Sequence, residues 1–279
     1  VPNRIIQVSI AGMRKTVSTA FILLLVVGVP GHAGAADVAV TLPPLAGLVS
    51  ILDKQADILC LLHPGADPHH FQLQPRTIEA LRQSRLLIRA SGDDGGWPLP
   101  PEHENTLDLW PAIDHGWLVP AMARNALIRI APTLLRLHPE RSDAIAYRLT
   151  LALAQIRAME DAWRKALEPV KKSGVIMQHP AWRRLMQDMG VPVLKVLESG
   201  HHGHEYGPRL LDEALLALNN SPGAWLISSA GHSNRAVEWL ARHVDSAPRH
   251  ITLDALGACG DSWPELMQKN LQRINLVNP

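Results

Sequence analysis

The stretch PGADPHHFQLQP, Pro64 to Pro75, sets two adjacent imidazoles, His69 and His70, in a loop bracketed by prolines. Histidines so placed are solvated loop residues, an acid/base pair or metal ligands, and this stretch alone leaves all three open. Fourteen histidines in 279 residues is high usage, and imidazole is the commonest protein metal ligand. Further groups of the same chemistry recur along the chain. His63 follows the apolar run DILCLL, His179 follows SGVIM, and ESGHHGHE, with His201, His202 and His204, follows VPVLKV. Ser228 to His232 follow AWLI, and Asp254 lies within HITLDALG. Nitrogen and oxygen donors in that mixture suit zinc, with manganese second. Each group also has a bland reading. A loop histidine is solvated, Asp254 caps a turn, and HHGHE is either a loose chelating loop or a solvated hairpin tip.

The elements that must position these groups alternate between strand and helix. Val38, Val40 and Leu42 alternate as in a strand, Pro43-Pro44 break it, and ADILCLL is a second apolar run. A helix from Thr77 leads into the strand LLIRAS, while residues 93–125, rich in glycine and proline, read as irregular. Ile145, Leu149, Leu153, Ile156, Met159, Trp163 and Leu167 then recur every three or four residues, the stripe of one long helix of about 28 residues and roughly 40 Å. Beyond it SGVIMQH, VPVLKVLE, AWLISS and HITLDALG read as strands separated by helices. The pattern predicts an α/β fold with parallel-type sheets in two lobes, 36–130 and 171–279, joined by a long rigid connector helix within 131–170. Open α/β sheets bind ligands beyond the C-terminal ends of their strands. The histidines and Asp254 fall at that edge in both lobes, so facing lobes bring them to one cleft.

Two features place the chain. From Met13 a basic start, an apolar run from Ala20 to Val29 and Ala33-Gly34-Ala35 have the layout of a secretory signal peptide cleaved near Ala35. Residues 1–12 do not fit that layout and read as a misplaced translation start. The apolar run is about ten residues where a bilayer needs ~20, so a soluble exported chain of about 244 residues is expected. Removing Arg4, Arg14 and Lys15 from 27 basic residues leaves 24 against 26 acidic, which points to neither nucleic acid nor an acidic membrane. Cys60 and Cys259 are the two cysteines. They either pair in an oxidising compartment or serve as small apolar filler, and no C-x-x-C is available for redox chemistry or a cysteine-rich zinc site.

The motifs LLHPGADPHHFQLQPRTIEALRQSRLLI, VIMQHPAWRRLMQDMGV and ITLDALG together resemble the periplasmic zinc- and manganese-binding receptors of ABC importers, the ZnuA-like bacterial solute-binding protein family 9. The resemblance extends over nearly all of the mature chain. It implies two lobes bridged by a rigid helix with a metal in the cleft between them. Residue by residue it places ligands on His69, directly after Pro68, on His179, where manganese-type members carry Glu, and on Asp254. The family's Asn-Pro-His-Val-Trp-Leu-Asp-Pro is matched to NALIRIAP, Asn125 to Pro132, which sets Leu127 where a histidine belongs. An isobutyl group donates nothing to a metal, so His70, His201, His202, His204 and His232 become candidate substitutes.

The resemblance thus implies a periplasmic receptor, not an enzyme and expected to be a monomer. It would capture zinc, manganese being the weaker candidate, and deliver it to an ABC permease in the inner membrane. Two rivals are a zinc-dependent periplasmic hydrolase using an open metal position, and a diverged metal chaperone or sensor with a weakened site. Against the hydrolase, no H-E-x-x-H is present.

Overall fold

The computed structural model describes residues 36–63, 65–68, 71–100, 103–198 and 207–277. Two parallel four-stranded sheets carry the fold. The first contains β1 (Val38–Val40), β2 (Ile58–Cys60), β3 (Leu86–Ala90) and β4 (Thr106–Leu109) in the order β2-β1-β3-β4. The second repeats that order with β5 (Val175–Met177), β6 (Val193–Val196), β7 (Trp225–Ser229) and β8 (Arg249–Leu253), as β6-β5-β7-β8. In each sheet the first strand of the half lies inside and the chain reverses direction across it, which creates the switch point where α/β sheets hold ligands. β1 and β5 are buried on both faces, and they are therefore continuous apolar runs rather than alternating ones.

Prolines that end a strand pattern also start helices. Pro43, Pro75, Pro120 and Pro208 open α1 (Pro43–Leu52), α2 (Pro75–Gln83), α3 (Pro120–Leu137) and α6 (Pro208–Asn219), where the missing N–H costs nothing and φ is already set. Between them run α4 (Ser142–Ala166) and α5 (Arg183–Asp188), and α7 (Arg235–His243) and α8 (Trp263–Val277) complete the set.

The long helix is α4, 25 residues and about 37 Å. Ile145, Ile156, Met159 and Trp163 of the expected stripe are buried on it. It is partnered by α3, which packs along it in the opposite sense, since Arg124 near the start of α3 meets Glu160 near the end of α4 at 3.8 Å. Trp163 stacks on Trp182 of the second half, ring centroids 5.3 Å apart.

Residues 93–125 are more ordered than their composition suggests. They hold β4 and the first turns of α3. The strand is missed because TLDL pairs on one side with β3 and is half exposed, so its apolar signal is weak. The helix is missed because Pro120 reads as a breaker when it is a start.

Both halves share one continuous core, to which β1, β3, β5, β7 and α8 contribute. Two further ties cross between them. Cys60, at the end of β2, forms a disulfide with Cys259 after β8, Cα atoms 6.3 Å apart. Trp117, buried between the halves, donates from Nε1 to the Ala255 carbonyl at 2.7 Å and accepts from Trp263 Nε1 at 2.6 Å. At Gly47 of α1 the backbone of α8 comes so close that a Cβ would lie 2.7 Å from the Trp263 nitrogen; only glycine permits that approach. Among the described residues no helix is long and apolar enough to cross a membrane.

Candidate metal centre

The chemistry-bearing groups sit where the strands end. Asp93 follows β3 and His179 follows β5; Glu198 follows β6, His232 follows β7 and Asp254 follows β8. His179, His232 and Asp254 wall one small cavity of about 50 Å³, and His115 and Asp93 of the first half line it too. A wider vestibule of about 250 Å³ adjoins it and is lined by His63 and Asp67, with His232 and Asp254 common to both.

His179 is buried and caps the short 3-10 turn 180–182, its Nδ1 accepting from the Ala181 N–H at 3.3 Å. His115 occupies the same position before the 3-10 turn 116–118. The two rings meet edge to face, centroids 5.4 Å apart, and the His232 ring lies 4.7 Å from that of His179. Three imidazoles from two halves thus gather at one cavity.

His115 is held by a local device. Its φ of +55° is left-handed, a conformation that costs an L-residue about 1–2 kcal/mol. The Asp93 carboxylate accepts the His115 backbone N–H at 2.9 and 3.2 Å, which offsets that cost, and stands 3.5 Å from its Nδ1. Gly116 lets the chain pass under Trp110, where a Cβ would come within 2.5 Å of the indole. Burial pushes the Asp93 carboxyl up to about 8, against the lowering effect of the His115 backbone hydrogen bond, and Asp114 and Asp94 push the same way as burial. A cation in the adjoining cavity reverses that preference, because it favours the charged carboxylate.

On the opposite wall His232 Nδ1 lies 3.0 Å from Glu198 Oε2. Burial works to raise Glu198, but hydrogen bonds from His232 and Gln178 outweigh it and leave the carboxyl below its usual range. His232 is raised, first by its bond to Glu198, with burial opposing. Asp254 accepts the N–H groups of Leu256 and Gly257 on Oδ1 at 3.0 and 2.9 Å, while its own N–H and C=O are clasped by the buried Asn270 side chain. The turn-capping reading of Asp254 is therefore correct for one oxygen, and the residue still faces both cavities.

Of the groups expected from sequence, His179, His232 and Asp254 come together. His69, His70, His201, His202 and His204 lie outside the described residues. Among the described residues no three His, Cys, Asp or Glu side chains stand close enough together to hold a metal ion. Leu127 is a correction. It is fully buried within α3 as part of the shared core and lines neither cavity, so no ligand is missing there. The residue that sequence reading overlooked is His115. The signal was present: IDHGWLVP, Ile113 to Pro120, matches the His, Trp, Leu and Pro of Asn-Pro-His-Val-Trp-Leu-Asp-Pro, four positions, where NALIRIAP matches two.

Residues 101–276 match the family model of ZnuA, zinc-uptake complex component A periplasmic. A Thermotoga maritima protein named for metal binding is 26% identical over 256 residues, covering 85% of this chain and 91% of that protein. The high-affinity zinc uptake system protein ZnuA of Yersinia pestis is 24% identical over 211 residues, 59% of this chain and 66% of that one. Among solved structures, a ZnuA crystal structure superposes with a TM-score of 0.73 at 19% identity, covering 88% of this chain and all of the other. The solute-binding protein FpvC of Pseudomonas aeruginosa with Ni2+ superposes with 0.68 at 21% identity, covering 86% and 95%. At such identities the superpositions speak for the fold alone. The family match covers well over half the length, and the chain belongs to the ZnuA family of periplasmic, metal-binding solute-binding proteins.

Proposed function

We propose that this protein captures a divalent transition metal, zinc first, in the cleft between its two halves and hands it to an ABC permease in the inner membrane. His69, His115, His179 and Asp254 are the ligands in this reading. It leaves the lobes as 36–130 and 171–279 and the mature chain as beginning after a signal peptide cleaved near Ala35. The observation that carries it is that His115, His179 and Asp254, from both halves, line one cavity at the strand ends; they stand too far apart to share an ion as they are, so the cleft must tighten around its cargo. Imidazole nitrogens with a single carboxylate suit zinc and nickel better than manganese. The relatives support metal capture in general, since the structural neighbours include zinc-, nickel- and manganese-bound forms.

Each residue has a distinct task. His179 is fixed at a strand end, and binding a cation exchanges its long 3.3 Å bond from the Ala181 N–H for the metal. His115 is held in its left-handed turn by the Asp93 bonds to its backbone N–H, and Asp93 lies near enough for a small shift to bring it onto the ring Nδ1. Asp254 brings the negative charge that partly neutralises a dication. Ligating imidazoles must be neutral, so capture weakens as pH falls through ~6.5 and binding releases protons. Trp117 and the Cys60–Cys259 bridge hold the halves together beside the site, which leaves small loop movements rather than wide hinge opening for loading and release. The hydrolase alternative needs a general base near the metal; of the two carboxylates that flank the His201–His204 run, Glu198 is committed to His232 and Gln178, and Glu205 lies outside the described residues.

Calorimetric titration of the mature protein with zinc tests this. One equivalent binds to the parent, and His115→Ala and His179→Ala each lose most of the affinity. Unchanged binding in both variants refutes the assignment.

A further inference from the structure

Building on the reading of this cleft as the cargo site, we propose that His232, held by Glu198, is a further metal-facing ligand. Its nitrogen tilts the site towards zinc and nickel and away from manganese. The ring rests against His179 and forms part of the wall of both the inner cavity and the vestibule. Nδ1 is committed to Glu198 at 3.0 Å, so Nε2, on the far side of the ring, is the nitrogen a cation can use. Ligating histidines take this form, with one ring nitrogen on a carboxylate and the other on the metal.

The support behind the ring is built from three strand ends. Gln178, fully buried at the end of β5, donates to Glu198 Oε1 at 3.0 Å and to the Ser233 carbonyl, and accepts the Ser229 N–H at 3.2 Å. Glu198 follows β6, and His232 follows β7 with its N–H bonded to the Ser229 carbonyl at 3.1 Å. The pair is partly buried, with side chains 29% and 20% accessible, and its geometry is fixed from behind by Gln178. A frame that fixes one rotamer beside the cavity serves placement. Asp254 spends Oδ1 on two backbone N–H groups, which weakens it as a donor and raises the value of another nitrogen. Carboxylate and water suit manganese whereas imidazole suits zinc and nickel, so each added nitrogen widens the gap between them.

The test uses the mature chain stripped of metal with chelator, measuring Zn2+ and Mn2+ affinities by competition in the parent, His232→Ala, Glu198→Gln and His179→Ala. Loss of the ring should weaken zinc at least about tenfold and manganese less than about threefold, the scale of a lost supporting partner or more. Glu198→Gln should move the same way by less. X-ray absorption of the Co2+-loaded proteins should count one nitrogen fewer in His232→Ala than in the parent. An unchanged Zn2+/Mn2+ ratio or an unchanged nitrogen count overturns the proposal, as does equal weakening of both metals, the mark of a purely structural ion pair. If His179→Ala binds zinc as tightly as the parent, the underlying reading fails and this inference falls with it; if His179→Ala loses zinc while His232→Ala does not, only this inference is lost.

Discussion

The two sheets have the same strand order and carry their chemistry differently. In the second, His179 stands two residues beyond β5, Glu198 two beyond β6, His232 three beyond β7 and Asp254 directly after β8. In the first, His115 stands six residues beyond β4 and His69 nine beyond β2. Groups next to a strand end inherit the rigidity of the sheet, whereas groups farther out depend on what ties their loop down. The second half is therefore a preset wall of donors. The first half presents His115 on a loop that needs external bracing by Asp93, and the Cys60–Cys259 bridge ties down the chain as it leaves β2.

The strongest way to break this contrast is to cut the brace. Replacing Cys60 and Cys259 by Ser frees a cross-link between residues 199 apart in sequence, which chain-entropy reasoning values at up to about 5 kcal/mol. Thermal unfolding of the reduced or substituted protein should show that loss, and amide exchange should rise in residues 61–68 before it rises at 178–179. Equal loosening of both walls would erase the distinction.

A pair of substitutions separates ligand from core. Leu127→Ala should cost about 3 kcal/mol of stability, as for a fully buried leucine, and leave zinc affinity within about threefold. On the proposed ligand assignment His115→Ala should do the reverse, with affinity falling about 100-fold or more, since losing a ligand costs at least what losing its supporting partner does. Denaturant melts with zinc titrations on both variants decide it.

The brace on His115 has a pH signature. The Asp93 carboxyl titrates at about 8 in the folded chain, against an ordinary value of 3.8 for a solvated aspartate. The folded protein thus holds an extra proton between those values. The stability this contributes is complete below pH 4 and is lost as pH rises through about 8. The melting temperature of chelator-treated protein should therefore fall between pH 6 and 8.5 more steeply in the parent than in Asp93→Asn. Parallel curves would mean that the carboxyl is not protonated there.

The smallest effect concerns the indole between the halves. Trp117→Phe keeps an aromatic ring but removes the bond to the Ala255 carbonyl, at about 1 kcal/mol, and part of a fully buried indole, at about 1 kcal/mol more. The measured quantity is the unfolding midpoint, and a change below experimental error would show that water replaces the lost donor.

Much of the frame was legible from local pattern. The strands around Val38, Ile58, Leu86, Val175, Val193, Trp225 and Ile251 are short apolar runs, and the stripe from Ile145 to Trp163 is a single helical face. Such signals need only a residue and its near neighbours. β4 was hidden because half of it faces solvent, and α3 because its first residue is a proline. The mismatch at Leu127 has the same root: a helix opened by a proline hides that this leucine is a buried helical residue, and His115 lies in a run whose composition looks irregular.

The amino-acid order alone determined the alternation of strands and helices, and with it the edge at which donors gather, because period and turn chemistry are local. Tertiary structure alone decided which donors meet. His115 comes to face His179 from 64 residues away, Glu198 reaches His232 across 34 residues, and Cys60 finds Cys259, because two sheets pack around a common core. Those encounters depend on how whole elements dock, and no short window of sequence records that.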